Sequence, residues 1–350
     1  MNKDIQKGNS ISPNYGHLSF KEKVFRNLRD RFVLAIFNTP FQFGIYCSYW
    51  HYKLNSNNII NTINQNIYLT QKPDYGAGIG HQMADWNTAY FFSNYFNLKF
   101  AHTPFSSEKW ESFLGFGKDE ILAKDLFNNN KFKKVRLPKF DSTIPSQVHT
   151  ISEIINSYKR DNILFLFESN QGYMKQFESY KSLSQKFFNS NARTFDKLIF
   201  PKDSFNISIH IRKRMKIETD LQWSDRGLDD EYFVNILETV LKNLKEHQKI
   251  DIFLFSQGAI DDFKRFSHFP NLHYCLEMNP YDSFLHMVKA DLLISCKSSF
   301  SYKPALISKG IKICPNSFWH SYPNSEDFIL ADNKGLFYTN KLITQLNLLK

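Results

Sequence analysis

Residues 206–215 read Asn-Ile-Ser-Ile-His-Ile-Arg-Lys-Arg-Met and hold the side chains best suited to chemistry. Asn206 to Ile211 alternate polar and apolar residues with period two, the pattern of a half-buried strand. Three consecutive cations follow: Arg212, Lys213 and Arg214. A guanidinium there sets a permanent positive charge at the carboxyl edge of a sheet, where ligands bind in open α/β sheets. Its planar fork donates two parallel hydrogen bonds to a phosphate and stays charged at any relevant pH. His210 and Arg212 lie two apart on the strand and face the same space. The plainer alternatives are a basic loop after an ordinary strand and a satisfied core histidine.

Two other segments fit the same chemistry. Gly76-Ala-Gly-Ile-Gly-His-Gln82 is a glycine turn between a short strand and a helix. Such a turn lets backbone N–H groups approach an anion or a hydroxyl array, although its spacing matches neither phosphate-loop fingerprint. His81 is the first candidate for a general base, because its ordinary pKa suits neutral pH. Asp85, one helical turn later, orients it or replaces it. The third segment, Ser295-Cys-Lys-Ser-Ser-Phe-Ser-Tyr302, follows an apolar strand and opens a helix. One serine there is explained by capping, and four in seven residues exceed that need. No D-x-D triplet suited to a metal–diphosphate site occurs, and no metal is required where cations take its place.

The three segments together resemble the fucosyltransferase superfamily that includes α-1,2- and α-1,6-fucosyltransferases and protein O-fucosyltransferases. Its members carry a G-x-G-N-Q-type turn, an H-x-R-R-G-D strand end and an S-x-S-S/T-F-S turn. Here these positions read Gly78-Ile-Gly80-His81-Gln82, His210-Ile-Arg212-Lys213-Arg214-Met215 and Ser295 to Ser301, within about residues 73–320. The resemblance implies a GT-B fold: α/β, with two Rossmann-like doubly wound domains facing a cleft. It implies inverting, metal-independent transfer of a sugar, by default fucose from GDP-fucose, to a glycan or glycolipid acceptor. Arg212 would hold the donor's β-phosphate, with Lys213 or Arg214 assisting. His210 would lie near the base, and Ser298, Ser299, Phe300 and Ser301 would hold the diphosphate. Gly78, Gly80 and Gln82 complete the donor set, with Ser256 and Gln257 after the strand Ile252–Phe255. The chain departs from the family at Lys213, at Arg214-Met215, at His81, and at Ser256-Gln257-Gly258, where relatives often carry Asp. A transferase using another sugar nucleotide, and a nucleotide-sugar or glycan-binding module without catalysis, are the rival readings.

Elements that could position these groups are legible in the second half of the chain. Strands are expected at 207–211, 252–255, 273–276, 292–295 and 312–314, with helices at 230–247, 260–266, 281–289 and 298–308 between them. Phe233, Ile236, Leu237, Val240, Leu241 and Leu244 carry the i, i+3, i+4 spacing of a buried helix face. Such β-α alternation gives a parallel, doubly wound sheet. In the first half, strands are expected at 67–70, 99–102 and 162–167 and helices at 81–97, 151–158 and 180–189. Residues 128–145 read as a polar connection. The expected division is a basic N-terminal segment to residue 55, an acceptor-side α/β domain over 56–200 and a nucleotide-sugar domain over 201–350.

The totals narrow the partners. The 350 residues carry a formal charge of +10, which favours an anionic partner. Nucleic acid is not expected: the cations are dispersed, no finger or RNP pattern occurs, and Lys131-Phe-Lys-Lys134 reads as a solvated face. Four cysteines without a C-x-x-C pair, and one sequon inside a strand at Asn206, favour a reducing, cytoplasmic site. Residues 21–31 are basic, and Phe32 to Trp50 contain no charge. Residues 21–50 are thus read as a segment lying on the inner, anionic face of a membrane, as a packed part of the first domain, or as a type II spanning anchor.

Overall fold

The structure, a computed structural model, describes residues 41–55, 66–158, 162–167, 174–190, 197–213, 226–245 and 248–348, with residues 28, 31–32, 35–36 and 39. The chain divides into two compact units, Met1–Tyr173 and Met174–Lys350. The helix at 180–189 therefore belongs to the second unit, ahead of the division expected near residue 200. Its Ser184 hydroxyl donates to the Ile307 carbonyl there at 2.6 Å.

In the first unit the order is α1 (Cys47–Asn55), β1 (Ile67–Thr70), α2 (Ile79–Tyr95), β2 (Lys99–His102), α3 (Glu108–Leu114), β3 (Ile121–Leu122), α4 (Ala123–Asn128), β4 (Lys133–Arg136), α5 (Pro145–Asn156) and β5 (Ile163–Leu166). The sheet runs β3-β2-β1-β5-β4 and every pairing is parallel. Parallel strands buried on both faces read as apolar runs, as Ile163–Leu166 does. The polar connection expected over 128–145 contains β4. Only Val135 of that strand is buried, because β4 is an edge. Helix α3 is set by its ends: the Ser107 hydroxyl accepts from the Trp110 amide, and Gly115 closes the helix at φ 62°.

The second unit contains a 3-10 turn (Met174–Ser179), α6 (Tyr180–Asn189), β6 (Phe205–His210), α7 (Asp230–Asn243), β7 (Ile250–Phe255), β8 (Leu272–Cys275), α8 (Pro280–Lys289), β9 (Leu292–Ile294), α9 (Ser299–Ile307), β10 (Ile311–Pro315), β11 (Phe328–Ala331) and α10 (Asn340–Leu348). The helix expected at 260–266 is a 3-10 segment, broken by Phe263 at φ −124°. The sheet is all parallel, in the order β11-β10-β9-β6-β7-β8. Counted from its first strand this is 3-2-1-4-5-6, the order of doubly wound nucleotide-binding sheets. Alternation sorts the side chains. Ile207, Ile209, Ile252, Leu254 and Ile294 pack with Tyr232, Phe233, Ile236 and Val240 of α7 on one face. Phe253, Phe255, Leu293 and Cys314 pack with Met287 of α8 and with Tyr302 and Leu306 of α9 on the other.

The basic part of the N-terminal segment lies mostly outside the described residues. Among those described, no helix is long and apolar enough to cross a membrane. Helix α1 instead packs on the first unit: Ser48 donates to the Arg136 carbonyl at 2.8 Å, and the His51 ring stacks on Tyr158 at 3.8 Å.

Candidate active site

In the second unit the strand order reverses between β6 and β9, which lie side by side. Ligands of doubly wound sheets bind in the crevice outside the carboxyl ends at such a reversal. His210 ends β6 and Arg212 follows it; Ser295 and Cys296 follow β9. Two of the three segments picked out in the sequence are therefore brought to one sheet edge. Helix α9 starts there as well, with its N-terminal N–H groups at the edge.

His210 is shaped by its neighbours. Its Nδ1 lies 3.2 Å from the Cys296 Sγ, and its ring lies 5.6 Å from that of Phe300. Burial, and then the nearby Arg212 charge, push its pKa down to about 4. The imidazole is thus neutral at physiological pH, and Nδ1 is occupied by the thiol. Burial pushes the Cys296 thiol up to about 11, so it stays protonated. Its sulfur also lies 3.6 Å from the Ser301 hydroxyl. Cys296 joins the β6 end to the serine turn, a role the cysteine count alone does not show. Its position directly after an apolar strand was the available signal.

The serines divide their work. Ser298 accepts from the Phe300 amide and caps α9. Ser301 is buried and donates to the Cys296 carbonyl at 3.3 Å. Ser295 is buried, and its carbonyl accepts from the Tyr232 hydroxyl at 3.3 Å. Ser299 and Phe300 are half-exposed at the start of the helix. Ser298 and Ser301 thus use their hydroxyls to build the turn, Ser295 contributes its carbonyl, and Ser299 is half-exposed. Lys297 adds a buried cation to the same turn, one that the serine pattern does not single out.

Lys213 points elsewhere. Its Nζ donates to the Asp262 carbonyl at 3.3 Å and sits 4.3 Å from the centre of the Phe263 ring. Ser256 donates to the Ile211 carbonyl at 2.7 Å and so ties the ends of β7 and β6 together. Gln257 is exposed beside Gly258, whose φ of 118° suits glycine. Arg214 and Met215 lie outside the described residues.

In the first unit Gly78 opens α2 without a side-chain cap, Gly80 is buried in the first turn, and His81 is half-buried. Gln82 is spent on structure: its Nε2 donates to the Ala77 carbonyl and to Ser106 Oγ, each at 2.8 Å, and its Oε1 accepts from the Ser106 amide. Asp85 is 3% exposed and accepts from the Asp74 amide at 3.0 Å. The carboxylate braces the segment that leads into the glycine turn, one turn of α2 from His81. Behind them Trp86 Nε1 donates to His102 Nδ1 at 2.8 Å, so His102 Nε2 carries the proton it shares with Glu111 at 2.8 Å. Among the described residues no cluster of His, Cys, Asp and Glu is arranged to hold a metal ion.

Fucosyltransferases are among the solved structures similar to this chain. NodZ α-1,6-fucosyltransferase soaked with GDP-fucose is 14% identical, with a TM-score of 0.42, over 70% of this chain and 93% of that one. Fucosyltransferase NodZ from Bradyrhizobium is 12% identical, with a TM-score of 0.35, over 70% and 94%. POFUT1 in complex with GDP-fucose is 12% identical, with a TM-score of 0.40, over 71% and 97%. No protein-family model and no curated protein sequence matches the chain.

Proposed function

We propose that the chain is a glycosyltransferase that takes a sugar nucleotide, by default GDP-fucose, and transfers the sugar with inversion to a glycan or glycolipid acceptor. The carrying observation is Arg212 beside neutral His210 and the start of α9, at the strand-order reversal of a nucleotide-binding type of sheet. In the reaction the acceptor hydroxyl oxygen bonds to the anomeric carbon from the face opposite the leaving group, its proton passes to His81, and the bond between the anomeric carbon and the β-phosphate oxygen breaks. Its electron pair stays on the leaving nucleoside diphosphate. A fixed guanidinium and helix N–H groups stabilise that growing charge without reorganising, and no metal ion is needed for the step. With Nδ1 against Cys296, His210 keeps Nε2 for the nucleotide and adds no charge to it.

Direct assay tests the proposal: GDP release from GDP-fucose over a panel of glycan acceptors, with a chelator present. Transfer is expected, lost in Arg212→Ala and lowered in His81→Ala. Unchanged turnover in His81→Ala would remove that residue as the base. Lys213 is held by Asp262 and Phe263, which favours a second reading, a module that binds the sugar nucleotide without turning it over. Nucleotide binding with no transfer to any acceptor would select it.

A further inference from the structure

One face of the first unit joins two features that do not serve the candidate active site. Residues 129–140 carry five cations, Lys131, Lys133, Lys134, Arg136 and Lys139, and no carboxylate. Three of them lie on the edge strand β4, with their side chains exposed. Beside that strand, α1 turns Cys47, Trp50 and Leu54 outward at i, i+3 and i+7, with Trp50 54% and Leu54 83% exposed. Phe41, 75% exposed, and Ile45 extend the apolar stripe. A pocket of about 430 Å³ between strand and helix is lined by Ile45, Tyr46, Tyr158 and the cations Lys133, Lys134 and Arg136. Lys133 sits 4.9 Å over the Tyr158 ring, and Lys134 donates to the Asn129 carbonyl at 3.1 Å; among the described residues neither pairs with a carboxylate.

Lysines alone keep an edge strand from pairing with another sheet. Edge protection does not call for an aromatic stripe alongside. A second copy of the chain would bring the same cations face to face. An anionic lipid surface meets both halves of the face: its phosphates pair with the lysines, and Trp and Leu side chains enter the layer between headgroup and acyl chain.

We propose that α1 and β4 dock the protein on the anionic face of a lipid bilayer, with the pocket between them taking a lipid phosphate. The experiment is co-sedimentation of the full chain with vesicles of phosphatidylcholine alone and of its equal mixture with phosphatidylglycerol, over a range of salt. Sedimentation is expected with the mixed vesicles only, weakening as salt rises. Lys133→Gln/Lys134→Gln should bind them about 30-fold more weakly. Leu54→Ser should also bind more weakly, with an unchanged salt dependence. Far-UV circular dichroism of each variant checks the fold independently of any nucleotide. Equal binding to neutral vesicles, no binding to either, or an unaffected lysine double variant would overturn the proposal. So would displacement by inorganic phosphate, which would reduce the pocket to a small-anion site. Self-association without vesicles, abolished by Leu54→Ser, would assign the face to a second copy instead.

Discussion

Arg212 and His210 carry different parts of the account. Arg212→Ala removes one preorganised donor to the leaving group, and transfer is expected to fall roughly 100- to 1,000-fold with the far-UV spectrum unchanged. Near-native transfer in that variant would end the phosphate role. His210 makes a prediction about stability. Its pKa is about 4 in the folded chain, against 6.5 for the ordinary group. Between those values the unfolded chain binds a proton that the folded chain does not. The stabilising contribution is therefore full above about pH 6.5 and is lost as pH falls toward about 4. His286, lowered chiefly by burial, acts in the same sense. The melting temperature should thus drop on acidification, and drop less steeply in His210→Gln. Equal slopes would contradict the buried, neutral imidazole.

Elements explain which of these residues the sequence disclosed. Central strands such as Phe205–His210 and Ile250–Phe255 stand out by their regular apolar positions, but they are buried on both faces, so the polar positions Asn206 and Ser208 do not mark a solvent face as the alternation suggests. The unassigned strands, Ile121–Leu122, Lys133–Arg136 and Phe328–Ala331, all lie at sheet edges. Lys133–Arg136 spends its exposed positions on charge, Ile121–Leu122 is only two residues long, and Phe328–Ala331 exposes an apolar Leu330 instead of alternating with polar residues. The same physics governed the site. Arg212 was legible because a cation directly after an alternating strand is conspicuous. In the serine turn, capping by Ser298 and bracing by Ser301 become visible only once the turn is folded. The Trp86–His102–Glu111 chain was invisible for a related reason, since its members come from three elements. Gly117 belongs to that chain by its absence of a side chain: an added Cβ would strike the His102 ring. Gly117→Ala is expected to destabilise by about 1–3 kcal/mol through overpacking. A melting temperature equal to that of the wild type would show that His102 yields freely.

At the scale of the molecule, β-α alternation in the sequence predicts a doubly wound sheet but leaves strand order open. Order is set by long-range pairing, and the pairing puts β6 beside β9. That adjacency unites His210, Arg212 and the start of α9, and makes a nucleoside diphosphate the ligand to test. A thermal-shift titration of the wild-type chain and Arg212→Ala with GDP, UDP and CMP addresses this directly. GDP should raise the melting temperature of the wild type, UDP and CMP should not, and the GDP shift should vanish in Arg212→Ala. No shift with any of the three, or a GDP shift that survives the loss of Arg212, would contradict the account.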